Sequence, residues 1–221
     1  MKTIGLRLAL PAVLALAFVS PGRAIEHDVV PSKDFDAKVQ YCKTCHGLSG
    51  QGFRGAYPMP RLAGQQPEYL ENQLRAFIER RRTNPVMFNV SHVLSPSMVT
   101  ALAAYFKNLD PKPLGGSPRE LAAAGKRIYQ EGIAGTDIPA CASCHGEDAK
   151  GQGAFPRLAA QLHDLHPEQT GELEQGMRSG SGRPDTSAIM EPIAHGFDPA
   201  TNCGGSRRTS AISSSFLGRL S

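Results

Sequence analysis

A five-residue pattern that occurs twice constrains the fold of this 221-residue chain more than any other feature. The copies are Cys-Lys-Thr-Cys-His at residues 42–46 and Cys-Ala-Ser-Cys-His at residues 141–145. Cys-x-x-Cys-His is the attachment pattern of a c-type haem. Its two thiols form thioethers with the two vinyl groups of one porphyrin, and the next residue turns its imidazole to the iron. The sequence therefore predicts two covalently bound haem c groups.

A Cys-x-x-Cys pair can also be a redox-active dithiol or half of a zinc site. A thioredoxin-like dithiol is expected in a βαβ context, which the pattern lacks, and a zinc site needs further Cys or His residues nearby. Two copies, each followed by similar residues, favour haem. The predicted attachment and ligand residues are Cys42, Cys45 and His46 for the first haem, and Cys141, Cys144 and His145 for the second.

The two motifs belong to a longer internal repeat. Cys42 and Cys141 are 99 residues apart, and Pro-Arg-Leu-Ala-x-Gln recurs at residues 60–65 and 156–161. Repetition of this kind sets the architecture. Since a Pro/Gly-rich stretch separates the copies, we expect a first domain over 25–110, a linker over 111–118 and a second domain over 119–203.

Apolar periodicity predicts helices and no strand of useful length. Residues 67–82 and the residues after Ser95-Pro96 carry one apolar face each, and both helices begin with a proline at the first position. Shorter helices are predicted at 35–41 and at 119–131. The expected fold class is all-α, with two small helical domains in tandem, each around one haem.

The first 24 residues read as a secretory signal peptide. A basic start, an apolar run over 8–19 and small residues at the end are typical of such leaders, although an uncleaved anchor has a similar start. We therefore expect a periplasmic protein. Without this segment 21 basic residues face 20 acidic ones, which does not favour nucleic-acid binding. Residues 25–109 carry +3 and residues 119–203 carry −5, a dipole that would orient the protein on redox partners.

Each iron needs a sixth ligand or an open position. Met87 and Met190 follow their proximal histidines by 41 and 45 residues, and both are expected in a non-helical loop. Met59 is a rival without a counterpart in the second unit. His92 and His195, each five residues after one of these methionines, are alternative ligands or polar neighbours of a propionate. A thioether ligand would raise the reduction potential relative to a second imidazole. Met98 and Met177 are predicted to be packing residues on helices.

The repeated Pro-Arg pair suggests contacts around each haem. A proximal imidazole needs a hydrogen-bond partner at its other nitrogen, and the carbonyls of Pro60 and Pro156 are placed to accept that bond. Arg61 and Arg157 follow directly, where they would either pair with a haem propionate or remain solvated.

The end of the chain departs from the repeat. Residues 199–203 stand where a final helix should begin, yet Gly and Ser follow and the apolar stripe is lost. We hypothesise that residues after Thr201, including the Ser/Arg-rich tail 204–221, are foreign to the fold. Cys203 is left over as a free thiol or an intermolecular link.

The chain resembles the di-haem cytochromes c4. The resemblance rests on residues 42–47, 60–65 and 103–106, on Met87 seven residues before Leu94, on residues 141–146 and 155–158, and on Met190 seven residues before Phe197. It implies two class I cytochrome c domains related by a pseudo-two-fold, with haem propionates near their interface.

The resemblance also implies a periplasmic carrier of single electrons, not an enzyme. Its donors would be a quinol-oxidising complex or a dehydrogenase, and its acceptor a terminal oxidase. We expect a monomer that is soluble or loosely associated with the membrane surface. The alternative is a di-haem enzyme, such as a peroxidase or a thiosulfate-oxidising cytochrome, or the cytochrome subunit of a dehydrogenase. A peroxidase would need a displaceable ligand and an acid/base group above one haem.

Overall fold

The computed structural model describes residues 32–115, 122–162 and 187–196. Over these ranges the chain forms helices and isolated bridges but no β-strand, which confirms the all-α fold. The helices are α1 (Ser32–His46), α2 (Pro67–Ile78), α3 (Pro85–Ser91), α4 (Pro96–Lys107), α5 (Ala122–Glu131), α6 (Ala142–His145) and α7 (Ser187–His195). The predicted signal peptide, Met177, Cys203 and the tail lie outside the described residues. We call residues 32–110 the first unit and residues 122–196 the second unit.

Two of the helices have boundaries that differ from the predicted ones. α1 extends from Ser32 through the first haem motif, well beyond the predicted 35–41. α2 ends at Ile78 instead of residue 82, because Arg80 adopts the left-handed conformation at φ 58° and turns the chain. α4 begins at Pro96 as predicted, and Ser95 accepts a hydrogen bond from the Met98 amide at 3.2 Å.

The prediction that Met87 and Met190 lie in non-helical loops was wrong. Met87 lies on α3 and Met190 on α7. Asn84 caps α3, with its side-chain oxygen accepting from the Met87 amide at 2.9 Å, and Pro85 occupies the first helical position. Ser187, a residue of good capping type, stands at the same distance before Met190 as Asn84 does before Met87. Both candidate ligands are thus carried by short helices.

The core of the first unit forms where α4 packs against α1 and α2. Val39 of α1, Leu70 of α2 and the α4 residues Leu102 and Phe106 are all less than 10% exposed. Burying such a side chain contributes about 1.5–3 kcal/mol. Met98 belongs to the same cluster at 6% exposure, so it is a packing residue, as predicted.

The second unit reaches its haem motif by a different route. α5 ends at Glu131, and Gly132 turns the chain at φ 74°, where a Cβ atom would come within 2.5 Å of the Ile138 carbonyl oxygen. The helix resumes only at α6. Tyr129, fully buried on α5, donates its hydroxyl to the Gly146 carbonyl at 2.5 Å. This bond ties the second haem motif to α5, whereas α1 carries the first motif without interruption.

The two units meet through their repeated loops, residues 60–66 and 150–162. Gln66 Nε2 of the first unit donates to the carbonyls of Lys150 and Gly151 at 2.8 and 2.7 Å. Gly64 lies against the Arg157 guanidinium, and a Cβ at Gly64 would come within 2.8 Å of Arg157 Nη1. The interface is therefore closely packed at this loop.

No single helix in the described part of the chain is long and apolar enough to cross a membrane. α3 and α4 reach the required length and composition only as a pair, with a bend of 111° between them.

The equivalent loop positions Gly64 and Ala160 lead to a test of backbone strain. Gly64 has φ 72° and Ala160 has φ 59°, a conformation that costs a residue with a Cβ about 1–2 kcal/mol. We expect Gly64→Ala to lower the free energy of unfolding by at least this amount, and Ala160→Gly to raise it by about 1 kcal/mol. Denaturant titration of the holoprotein would measure both changes.

Gly115→Ala is the matched control for this experiment, because Gly115 has the same φ of 72° and no atom of the described residues lies within 4 Å of its missing Cβ. It should show the backbone cost alone. An equal loss of stability in Gly64→Ala and Gly115→Ala would mean that the contact with Arg157 adds nothing.

Candidate haem sites

Each motif histidine is held by the same backbone contact. The Nδ1 atoms of His46 and His145 lie 2.8 Å from the carbonyl oxygens of Pro60 and Pro156 respectively. A carbonyl only accepts, so Nδ1 carries the hydrogen in both rings, and each Nε2 is left with a lone pair for a metal. The contact expected from the sequence is present in both units.

Burial keeps both imidazoles in the form that a metal requires. His46 and His145 are 7% and 8% exposed. Desolvation lowers the pKa of each ring, and the proline carbonyl opposes this shift to a smaller extent. A neutral imidazole whose Nδ1–H is hydrogen-bonded to a carbonyl can bind a metal through Nε2 without first losing a proton.

The motif cysteines share a helix face with the histidine. Cys42 and Cys45 lie three residues apart on α1, and His46 lies four residues after Cys42, a spacing that places all three on one side of the helix. None of the four motif cysteines forms a disulfide bond with another described residue, so all four are left for haem attachment. Burial raises the pKa of the first thiol of each motif, Cys42 and Cys141, to about 11.

A glycine in each unit fixes the proline loop against the histidine. The Gly52 amide donates to the His46 carbonyl at 2.8 Å, and the Gly151 amide donates to the His145 carbonyl at 2.9 Å. A Cβ at Gly52 would come within 2.8 Å of the Met59 carbonyl oxygen, and one at Gly151 within 2.5 Å of the Phe155 carbonyl oxygen. Only glycine allows this approach, which brings each proline carbonyl to its imidazole.

The two repeated arginines are buried beside one exposed carboxylate. Arg61 and Arg157 are 3% and 6% exposed, and their Nε atoms donate to the carbonyls of Ala63 and Ala159 at 2.9 Å. Asp110 lies 3.2 Å from Arg61 Nη2 and 3.7 Å from Arg157 Nη2. Burial and the neighbouring Arg157 charge lower the pKa of Arg61 to about 10.

These arginines fit a haem propionate. Arg61 Nη1 and Arg157 Nη2 are buried and make no hydrogen bond to any described residue, and a buried guanidinium donor is costly to leave unsatisfied. Asp110 lies near both guanidinium groups and Asp148 also acts on Arg157, but neither carboxylate accepts a hydrogen bond from these two donors. A propionate supplies both the charge and the acceptor oxygens.

The other candidate iron ligands are sorted by their positions. Met59 directly precedes Pro60, whose carbonyl accepts from His46 Nδ1, and the Met59 backbone pairs with Phe53. His92 is exposed, stacks on Phe88 with ring centroids 5.1 Å apart, and donates Nδ1–H to the Phe88 carbonyl at 3.0 Å. The side chain of His195 is outside the described residues. Met87 and Met190 remain the matched pair.

No group of three or more His, Cys, Asp and Glu residues that could hold a metal ion occurs in the described ranges. Such a group is what a zinc site would have needed.

Sequence reasoning missed several residues that the structure brings to the site. Asp110 was predicted only as the last residue of the first domain, and Tyr129 only as part of the helix at 119–131. Gln65 and Gln161 were visible in the repeated Pro-Arg-Leu-Ala-x-Gln, yet no role was assigned to them. Their recurrence was the available signal, because a polar residue repeated at one position of a haem loop needs a partner.

Comparison with known proteins gives consistent matches. A family model described as cytochrome c matches residues 36–110 and 122–202. Cytochrome c-552 of Acidithiobacillus ferridurans is 39% identical over 62% of this chain, and the chain spans only 61% of that protein. The thiosulfate dehydrogenase electron acceptor of Thiomonas intermedia (strain K12) is 39% identical over 69% of this chain and 70% of its own length. The structure of Acidithiobacillus ferrooxidans cytochrome c4 is 33% identical, with a TM-score of 0.65 over 80% of this chain and 99% of that one.

The buried nitrogen atoms of Arg61 and Arg157 that make no hydrogen bond to a described residue lead to a redox prediction. We expect Arg61→Ala to lower the midpoint potential of the first haem, because removing a cation and freeing a propionate both stabilise Fe(III). The expected change in the oxidation equilibrium is about threefold to tenfold, where tenfold is about 59 mV for one electron. A spectroscopic redox titration would measure it.

Arg61→Lys, which keeps the charge but loses the planar fork, is the control and should shift the potential less. Unchanged potentials in Arg61→Ala and in the equivalent Arg157→Ala would contradict the proposed contact between these arginines and the propionates.

Proposed function

Since the chain belongs to the cytochrome c family, as a di-haem cytochrome c4 with two covalently bound haem c groups, we propose that it carries single electrons between redox proteins. The observation that carries this proposal is the repeated pair of buried imidazoles, each with Nδ1–H bound to a proline carbonyl at 2.8 Å. Both units are built to hold an iron ligand in one fixed orientation.

We propose His46 and His145 as the proximal ligands and Met87 and Met190 as the distal ones. When bound, the haem iron supplies the one-electron couple. The residues of this chain keep the imidazoles neutral and oriented, exclude water from their Nδ1 side and present a thioether from a short helix. A soft, neutral thioether favours Fe(II) and raises the potential. With both faces occupied, the iron would be closed to chemistry other than electron transfer.

The division into domains at 25–110 and 119–203, with a linker at 111–118, is also part of the proposal. The two regions matched by the family model, 36–110 and 122–202, support it. Asp110, the last residue of the first domain, then lies near both arginines.

For the redox partners we propose a quinol-oxidising complex or a dehydrogenase as electron donor and a terminal oxidase as acceptor, in the periplasm. The charges of +3 and −5 on the two halves support directional docking on such partners. We propose that the protein acts as a monomer, with loose association to the membrane surface.

A second candidate function places the chain next to one particular enzyme. The relative from Thiomonas intermedia is named as the electron acceptor of a thiosulfate dehydrogenase. The donor of this chain would then be an enzyme of that type, and the chain would serve as its cytochrome partner. Reduction of the purified cytochrome by a thiosulfate dehydrogenase plus thiosulfate, compared with reduction by a quinol-oxidising complex, separates the two.

The proposed ligands lead to a spectroscopic prediction. The oxidised protein should carry two haems per chain and show Met–Fe(III) charge-transfer absorption from both, without a high-spin signal. Met87→Ala should remove about half of this absorption and lower the potential of the first haem, because water or another ligand replaces the thioether. Visible spectra with a redox titration would show both effects.

Met59→Ala is the matched control, since Met59 lies beside the proximal proline, and it should keep the full absorption. A high-spin component in the unaltered protein, together with turnover of peroxide, would favour the di-haem enzyme instead.

A further inference from the structure

One peptide group in the first unit is bound at both of its polar ends. Its carbonyl oxygen belongs to Pro60 and accepts from His46 Nδ1 at 2.8 Å. Its N–H belongs to Arg61 and donates to the side-chain oxygen Oε1 of Gln161, from the second unit, at 2.8 Å. A single peptide group thus connects the imidazole of one unit to a glutamine of the other.

The same arrangement occurs in the opposite direction. The peptide group between Pro156 and Arg157 accepts from His145 Nδ1 at 2.8 Å and donates to Gln65 Oε1 at 2.6 Å. Gln65 belongs to the first unit and is 4% exposed. The two connections cross the interface as a reciprocal pair.

Further hydrogen bonds fix the orientation of each glutamine amide. The Nε2 of Gln161 donates to the Arg61 carbonyl at 3.2 Å, and the Nε2 of Gln65 donates to the Arg157 carbonyl at 3.1 Å. The Oε1 atoms also accept the amides of Leu162 at 3.2 Å and of Gln66 at 2.9 Å. With donors on one side and acceptors on the other, the amide cannot flip without losing these bonds.

We propose that Gln161 and Gln65 are positioning residues, each of which tunes the proximal histidine, and hence the reduction potential, of the haem in the other unit. Hydrogen bonds in series polarise one another. An acceptor on the Arg61 N–H makes the Pro60 carbonyl a stronger acceptor, which draws the His46 Nδ1 proton and makes the imidazole a more basic ligand. A more basic ligand stabilises Fe(III) and lowers the potential.

This inference rests on the proposed ligation by His46 and His145, and it predicts a crossed effect. Gln161→Met keeps the side-chain length but removes the acceptor from Arg61, so it should raise the potential of the first haem. Gln65→Met should raise that of the second haem. We expect the oxidation equilibrium of the affected haem to change about threefold to tenfold, and that of the other haem much less; tenfold corresponds to about 59 mV.

The experiment is a redox titration of the full holoprotein followed by NMR, in which the two haems are distinguished through contacts of their methyl groups with neighbouring residues. Hydrogen exchange of the Arg61 and Arg157 amides is the second readout. Exchange should accelerate at Arg61 in Gln161→Met and at Arg157 in Gln65→Met, since each amide loses its acceptor.

Gln66→Met is the matched control. Gln66 also makes hydrogen bonds across the interface, to Lys150 and Gly151, but none to a peptide group that binds a proximal histidine. It should leave both potentials near their original values. If Gln66→Met moved them as much as the other variants, or if each variant moved the haem of its own unit, the inference would be overturned.

Failure of the inference differs visibly from failure of the proposed function. If Gln161→Met and Gln65→Met left both potentials unchanged and kept the low-spin spectrum, the tuning role would be overturned but the proposed function would not. A high-spin spectrum in the unaltered protein would instead count against the closed electron carrier.

Discussion

The hydrogen bond from each proximal imidazole to a proline carbonyl is the interaction on which the rest of the structure depends. Proline has no N–H, so the carbonyl is its one backbone polar group, and the fixed φ holds that group in place. In the first unit the bond joins the end of α1 to the loop at residues 60–65. The glycine that lets this loop approach, Gly52, binds the carbonyl of the same histidine. The positions of α1, of the loop and of the imidazole ring are therefore fixed together.

The same loops also build the contact between the two units, so haem geometry and domain arrangement are not independent. The residue after each proline is a buried arginine, and its backbone is held by a glutamine of the other unit. A change in either glutamine at the interface therefore alters a hydrogen bond to the same peptide group that binds an imidazole. Two small domains joined in this way differ from two cytochromes on a flexible tether, because each one completes the surroundings of its neighbour's proximal ligand.

The sequence predicted the parts of the structure that depend on local pattern. The Cys-x-x-Cys-His motifs predicted two haem c groups, and the prolines correctly predicted where α2 and α4 begin. Met87 was predicted to lie in a non-helical loop, although Asn84-Pro85 before it is the same type of helix start as Ser95-Pro96. Contacts between residues 65 and 157 or 61 and 161 connect units about a hundred residues apart. No local pattern specifies which groups meet at that distance.

Charge balance at the interface explains why the buried arginines are compatible with a stable fold. Arg61 and Arg157 share Asp110, but this carboxylate is 76% exposed, and an exposed ion pair contributes only about 0–1 kcal/mol. Removing two guanidinium charges from water costs far more than such a pair returns. An anion that reached Arg61 Nη1 and Arg157 Nη2, such as the proposed haem propionate, would add to this compensation. Haem attachment would then supply negative charge at the place where the two loops meet, so haem binding and the interface would stabilise each other.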